Sequence, residues 1–328
     1  MLSGFLLSAI CGFVPMFFLA GIIYWLDRYE KEPKALLGGV FSWGAIVAVI
    51  GALILQILLE ESVLMLTGSE VIGSVMGGSL FAPVTEEILK GLAVLLIFLF
   101  VRDEFDSVLD GIVYASIAAL GFAATEDVLY YFSAFSEGGL GAMMALVFLR
   151  FVIFGWQHAF FTSFFGIGLA LARLNHNPLI KIGAPVVGLG LSIVTHSLHN
   201  TLLTFIHGLL GVAITALLFW FGWLIMFAFI LYLIYREKAW LTEYLREEVS
   251  LMTITAAQYQ VACSVFGQNQ ARLASLFKGR YRATDRFFQL CGELSHKKRQ
   301  LAKLGEERGN SRAIENLRTE LSKISSSV

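Results

Sequence analysis

The chain has 328 residues, of which 57% are hydrophobic and only 15% are charged, whereas soluble globular proteins average about 25% charged residues. This composition excludes an ordinary soluble domain and indicates an integral membrane protein. The formal net charge of -1 gives no basic excess for binding phosphates, so we predict no nucleic-acid partner. Three cysteines without a Cys-x-x-Cys pair indicate neither a disulfide framework nor a thiolate metal site.

Seven apolar stretches are long enough to cross about 30 Å of hydrocarbon as helices of roughly 20 residues. The sequence therefore predicts an all-α, polytopic membrane bundle of about seven transmembrane helices, followed by a cytosolic helical domain. In the fifth stretch, Gly166 and Gly168 predict close helix packing. The stretches lie near residues 4–26, 37–59, 80–101, 108–132, 142–172, 180–206 and 211–235.

The basic residues between these stretches alternate along the chain. The first, third and fifth connections contain basic residues, and the second, fourth and sixth contain none. Because cytoplasmic loops of membrane proteins are rich in Lys and Arg, the odd connections are predicted to be cytoplasmic, with the N-terminus outside and the C-terminus inside. The residues concerned are Arg28, Lys31 and Lys34, then Arg102, then Arg173 and Lys181.

The C-terminal part of the chain has a different composition. Residues 1–235 contain 8 Lys and Arg residues, and residues 236–328 contain 16. We therefore predict a membrane domain over 1–235 and a cytosolic tail of amphipathic helices over 236–328. The tail is interpreted as a regulatory or assembly module, because its Ser-x-x-Lys match at Ser275 to Lys278 lacks the companion motifs of the hydrolases that use that pattern.

Ionisable side chains inside membrane helices cost several kcal/mol unless they are paired or hydrated, so each is a functional hypothesis. At about 1.5 Å of rise per residue, four predicted helices bring such groups to one layer in the outer half of the membrane. This convergence predicts a hydrated polar cavity. Its residues are Glu86, Glu87 and Lys90, Glu126 and Asp127, Arg150 and His158, and His196, His199 and Asn200.

Two ways of activating water fit these residues, and their spacing leaves both open. In the first, two imidazoles and a carboxylate hold Zn²⁺ and leave a fourth position for water, while a glutamate takes the proton. In the second, one of the paired glutamates activates water without metal, and His196 and Asn200 stabilise the oxyanion. The catalytic candidates are Glu86, Glu87, His196 and Asn200, and the metal-ligand candidates are Glu126, His158 and His196.

Three further residues are predicted to support the site. Lys90 lies four residues after Glu86 and shares its helix face, so it neutralises one carboxylate and leaves the second without a counter-charge. Arg150 is predicted to pair with an acidic group or to support the substrate. His199 is a weaker candidate than the histidine three residues before it.

The ordered set of these motifs resembles the PrsW family of intramembrane proteases, which is related to the CAAX prenyl endopeptidases. The resemblance covers roughly residues 20–235. This chain departs from the family where Asp127 follows Glu126, since asparagine is common there. The matching motifs are Asp27 to Pro33 after the first helix, Glu86-Glu87-x-x-Lys90, Phe122-x-x-x-Glu126, His158 with Arg150 eight residues upstream, and His196-x-x-x-Asn200.

The resemblance implies an endopeptidase of the bacterial plasma membrane that hydrolyses a peptide bond of a membrane-bound protein in the outer half of the bilayer. Its partners are then that substrate and the lipid bilayer. The family is described as metalloproteases, but a glutamate mechanism without metal is argued for the CAAX group, so Zn²⁺ stays one of two alternatives. A proton-coupled transporter and a helix-binding protein without protease activity are the competing hypotheses.

Overall fold

The computed structural model describes residues 1–306 and 309–328, and all regular secondary structure within these ranges is helical. The predicted all-α class is therefore confirmed. Two compact units are formed, the first from Met1–Trp25 and Glu32–Ala228 and the second from Leu26–Lys31 and Phe229–Val328. The predicted domains, 1–235 and 236–328, are defined by a membrane boundary that these units do not locate, and they stay a prediction.

Thirteen α-helices occur in the described residues. The first eight are α1 (Leu2–Leu26), α2 (Lys34–Ser42), α3 (Val49–Thr67), α4 (Glu70–Met76), α5 (Ala82–Phe100), α6 (Val108–Val147), α7 (Gln157–Arg173) and α8 (Pro178–Phe205). The others are α9 (Gly208–Ser250), α10 (Ala256–Ala262), α11 (Val265–Phe277), α12 (Tyr281–Leu304) and α13 (Asn310–Ser325). Short π-helical segments join α2 to α3 and α4 to α5, and a third, Phe148–Ile153, follows α6.

Local sequence signals define where several of these helices begin and end. Ser107 and Asp110 form a capping box at the start of α6, in which each side chain accepts a hydrogen bond from the backbone of the other. Asn177 caps α8 in front of a proline at its first position. Gly139, with a φ of 69°, interrupts α6 with a kink that a residue bearing Cβ would adopt only with strain.

Five continuous helical runs within the described residues are long and apolar enough to cross a membrane, and the chain is an integral membrane protein. The run Val108–Arg173 contains two of the seven predicted stretches, separated by the Gly139 kink. Helix α5 is not among the five, because it carries Glu86, Glu87 and Lys90 within 19 residues. The count of seven therefore stays a prediction.

Glycines allow the central helices of the first unit to approach closely. A Cβ on Gly166 of α7 would lie 2.0 Å from the carbonyl oxygen of Gly111 on α6. A Cβ on Gly168 would lie 2.4 Å from the carbonyl oxygen of Ala184 on α8. Both distances are far below van der Waals contact, so the prediction of close packing at Gly166 and Gly168 is confirmed.

The second unit has its own apolar core, in which α12 and α13 are the main elements. Phe287, Leu294 and Leu321 are almost completely buried there. The short segment Leu26–Lys31 packs on α12: the side chain of Gln289 accepts a hydrogen bond from the backbone N–H of Lys31 and donates one to its carbonyl. Most of the connection between α1 and α2, up to Lys31, therefore belongs to the same unit as the C-terminal helices.

We expect Gly166→Ala to destabilise the first unit, because the added methyl group forces α6 and α7 apart. Overpacking of this kind typically costs about 1–3 kcal/mol, which should appear as a lower unfolding temperature of the detergent-solubilised protein. Gly190→Ala on α8 is the matched control, since no atom lies within 4 Å of its Cβ position. Equal unfolding temperatures for the two variants would contradict the tight crossing.

Candidate functional site

Helix α5 contributes three buried charged side chains to the first unit. Glu86 is 4% exposed, and Glu87 and Lys90 are fully buried. The ammonium of Lys90 lies 2.5 Å from Glu87 Oε1 and 3.5 Å from Glu86 Oε2. Buried charges are tolerated when they are paired and hydrogen-bonded, and here one lysine serves both glutamates, with its shorter contact to the second.

Glu87 accepts hydrogen bonds from two further helices. The hydroxyls of Thr162 on α7 and Ser192 on α8 each donate to Oε2 at 2.7 Å, and Nδ1 of His196 donates to Oε1 at 2.8 Å. Thr162 and Ser192 were not predicted from the sequence, because their only signal is a small polar residue inside an apolar stretch. With Lys90, these donors occupy both carboxylate oxygens.

The Glu87 contact determines how His196 presents its ring. Because a carboxylate only accepts hydrogen bonds, Nδ1 of His196 carries a proton and Nε2 of the neutral ring keeps its lone pair. Phe161 stacks on the ring at a centroid distance of 4.8 Å. A carboxylate that fixes an imidazole in this way is the usual outer partner of a histidine that binds a metal or acts as a base.

Glu86 is held less tightly than its neighbour. Its Oε1 accepts a hydrogen bond of 3.3 Å from Gln56 on α3, a residue that the sequence analysis also missed. Its Oε2 lies 3.8 Å from Nε2 of His196. This separation is too long for a direct hydrogen bond and is the kind of gap that a water molecule bridges.

A second polar group, on α6 and the segment after it, lies beside the first. Nε2 of His158 is 3.1 Å from Glu126 Oε2, and Nδ1 of the same ring is 3.2 Å from the Lys90 ammonium. Arg150 pairs with Glu126 at 2.5 Å and also contacts Asp127. His158 therefore links the two groups, and Arg150 serves as the counter-charge of the two α6 carboxylates.

Several of these side chains line a cavity of about 310 Å³. His199 is 8% exposed, and its Nδ1 has no hydrogen-bond partner among the described residues. Asn200 donates one hydrogen bond of 2.9 Å to the carbonyl of Gly78. Glu86, Glu87 and Lys90 are not part of the wall. The polar residues of the wall include Glu126, Arg150, His158, His196, His199 and Asn200.

Three donors of types that bind divalent cations lie close together. One ligand atom from each of Glu86, His158 and His196 lies within 4.8 Å of the others, so the close group contains Glu86 where the sequence analysis placed Glu126. Both nitrogens of His158 already have partners, and a bound cation would replace one of these contacts.

The charges at the site are unbalanced. Four carboxylates face two permanent cations, Lys90 and Arg150, which leaves two negative charges in a buried site. One divalent cation or two protons would balance them. The carboxylates are Glu86, Glu87, Glu126 and Asp127.

Comparisons with known proteins identify the family to which the chain is similar. Residues 32–234 match the family model described as "PrsW family intramembrane metalloprotease". The chain is 29% identical to "Protease PrsW" of Bacillus subtilis (strain 168) over 70% of this chain and 92% of that protein. It is 32% identical to "Protease PrsW" of Geobacillus kaustophilus (strain HTA426) over 36% of this chain and about half, 49%, of that protein. No solved structure matches the chain.

Proposed function

The chain belongs to the PrsW family of intramembrane metalloproteases, and from this premise we propose that it hydrolyses a peptide bond of a membrane-bound protein. The observation that carries the proposal is the pair formed by Glu86 Oε2 and His196 Nε2, 3.8 Å apart. A carboxylate and an imidazole lone pair at this separation can share one water molecule. Both groups lie in a buried region where added water is shielded from bulk solvent.

Glu86 is proposed as the general base. It takes a proton from the shared water, and the resulting hydroxide attacks the scissile carbonyl in the adjacent cavity. Glu87 is less suited to this role, because Lys90, Thr162, Ser192 and His196 already donate to it. Its role is then to position His196, so that the two adjacent glutamates have different functions.

Other donors at the cavity support the negative charge that develops on the substrate oxygen. Asn200 uses one N–H for the carbonyl of Gly78, and its second N–H is available to a substrate carbonyl. Nδ1 of His199 has no hydrogen-bond partner among the residues that the structure describes, and the neutral ring carries a proton on one of its two nitrogens. Donors that are already oriented in a site of low dielectric stabilise an oxyanion more strongly than water does.

In the alternative form of the mechanism, Glu86 is a metal ligand and not the base: a divalent cation held by Glu86, His158 and His196 would balance the charge excess of the site. Such a cation, for which Zn²⁺ is the metal indicated by this ligand set, would supply Lewis acidity towards a carbonyl and towards water. Glu87 would then orient His196 as a ligand, and Lys90 would neutralise Glu87. The assignment of Glu126 as a metal ligand stays a prediction, because Arg150 and His158 already contact its carboxylate.

The alternation of basic residues supports an orientation in which the N-terminus is outside the cell and the C-terminal helices are in the cytoplasm. The polar site then lies in the outer half of the bacterial plasma membrane. In this orientation, the peptide bond that is cleaved lies in the part of the substrate nearest the outer surface of the membrane.

Glu86→Gln should lower cleavage by about 10²–10⁴-fold, the usual effect of losing a general base, without a large change in unfolding temperature. Glu87→Gln should also lose activity, but with a clear loss of stability, since the amide N–H₂ would face groups that donate to the native carboxylate. The assay is release of a fluorescent outer domain from a single-pass membrane reporter that the wild-type protein cleaves. Normal cleavage by Glu86→Gln would remove it as the base.

Metal content separates the two forms of the mechanism. The metal-dependent form predicts about one divalent cation per chain in the wild-type protein, measured by plasma mass spectrometry after gentle extraction, and its loss in His158→Ala and His196→Ala, because each removes one of about three ligands. His207→Ala is the control, since this exposed histidine lies between α8 and α9. Equal trace metal in all four proteins would leave the glutamate mechanism without metal.

Cysteine labelling tests the orientation. Ser136→Cys lies at an exposed position in the α6 run and should react with a membrane-impermeant maleimide in intact cells. His176→Cys, exposed between α7 and α8, should react only after lysis. The opposite pattern would reverse the proposed topology.

A further inference from the structure

Helix α11 in the second unit presents an apolar face that is largely exposed among the described residues. Phe266, Leu273, Leu276 and Phe277 are 71%, 58%, 54% and 89% exposed. At 3.6 residues per turn, these four positions share one side of the helix. Exposed apolar side chains that cluster on one helix face indicate contact with a protein or a membrane.

The opposite side of α11 attaches it to its unit. Gln268 and Ser275 are buried, and the side chain of Gln268 donates a hydrogen bond of 2.7 Å to the carbonyl of Ala262. Arg272 pairs with Asp285 of α12 at 2.8 Å. The helix is therefore anchored through its polar side, and its apolar side is directed outwards.

Positive charge follows the apolar face directly. Lys278, Arg280 and Arg282 are all exposed. Among the residues that the structure describes, Lys278 and Arg282 pair with no carboxylate, and Arg280 donates only to the carbonyl of Ser327. An apolar helix face bordered by unpaired basic residues is the pattern of helices that lie in the plane of a membrane surface.

Contacts within the second unit place α11 near the point where the chain leaves its first membrane-spanning helix. Gln289 of α12 makes both hydrogen bonds to the backbone of Lys31, and Asp285, one turn earlier on α12, holds Arg272 of α11. Burial lowers the pKa of Lys31 to about 8, and the charge of Arg272 contributes to the lowering. Only seven residues separate α1 from α2, so their connection stays close to the bilayer surface.

We propose that α11 docks on the anionic surface of the lipid bilayer, with Phe266, Leu273, Leu276 and Phe277 in the headgroup region and the basic residues at positions 278, 280 and 282 against lipid phosphates. The second unit is continuous, through α9, with a helix that is long and apolar enough to cross a membrane. The cytoplasmic leaflet carries anionic lipids that attract such clusters. The inference is independent of the proposed protease activity.

Fluorescence of the full-length protein in lipid nanodiscs tests this docking. Cys11, Cys263 and Cys291 are replaced by serine or alanine, and an environment-sensitive dye is attached at Phe277→Cys or Leu273→Cys. In bilayers with about 30% anionic phosphatidylglycerol, we expect a blue-shifted emission that spin-labelled lipids quench. The matched control is Asn316→Cys, at an exposed position of α13, where neither effect is expected.

The charges are tested separately from the apolar face. Lys278→Glu combined with Arg282→Glu should reduce the lipid quenching at Phe277→Cys by about half or more, because repulsion from phosphate replaces attraction. Quenching at position 277 no greater than at position 316 would overturn the proposal. A blue shift without lipid quenching, together with disulfide cross-linking of Leu273→Cys between chains, would assign the face to a second copy instead and would also overturn it.

Discussion

The fully buried carboxylate of Glu87 is the interaction on which the arrangement of α5, α7 and α8 depends. An ionised carboxylate in an apolar interior is unstable unless strong donors surround it. Lys90, Thr162, Ser192 and His196 provide these donors from three helices. Each donor lost would leave an uncompensated acceptor that costs about 1–3 kcal/mol, so these helices are fixed relative to one another by a polar requirement as well as by apolar packing.

This requirement also explains why two adjacent glutamates are chemically different. Glu87 is saturated by short contacts, whereas the contacts of Glu86 are 3.3 Å or longer. Glu87, which accepts hydrogen bonds from two other helices, is therefore less able than Glu86 to exchange protons. The two negative charges left at the site make it receptive to positive charge, and protons or a divalent cation would be bound more strongly there than at the protein surface.

The sequence was sufficient to predict the helical class and the set of polar residues that come together. Glu86, Glu87, Lys90, His158 and His196 were predicted from the cost of ionisable groups in a membrane, which makes each of them stand out. Gln56, Thr162 and Ser192 were not, because hydroxyl and amide side chains are common in apolar helices and have no cost that distinguishes them. Their roles depend on which helices are neighbours.

The different roles of the residues in the polar site could not be predicted from the sequence either. Glu126 and Glu86 are equivalent candidates by residue type, and only the position of Arg150 beside Glu126 separates them. The number of membrane-spanning helices could not be established for a related reason. Helix α5 carries too many charged residues to be recognised as a membrane span from its composition. The same charged residues pack against α7 and α8.

The pairing of Gln289 with Lys31 joins residues 258 positions apart in sequence. During synthesis at about 5–20 residues per second, the connection after α1 emerges roughly 10–50 s before the helix that completes its hydrogen bonds. Its backbone must remain solvated, or be protected by other factors, for that whole interval. The second unit therefore cannot finish folding before α12 has been synthesised, and chains that terminate before α12 would expose this segment to quality-control proteases.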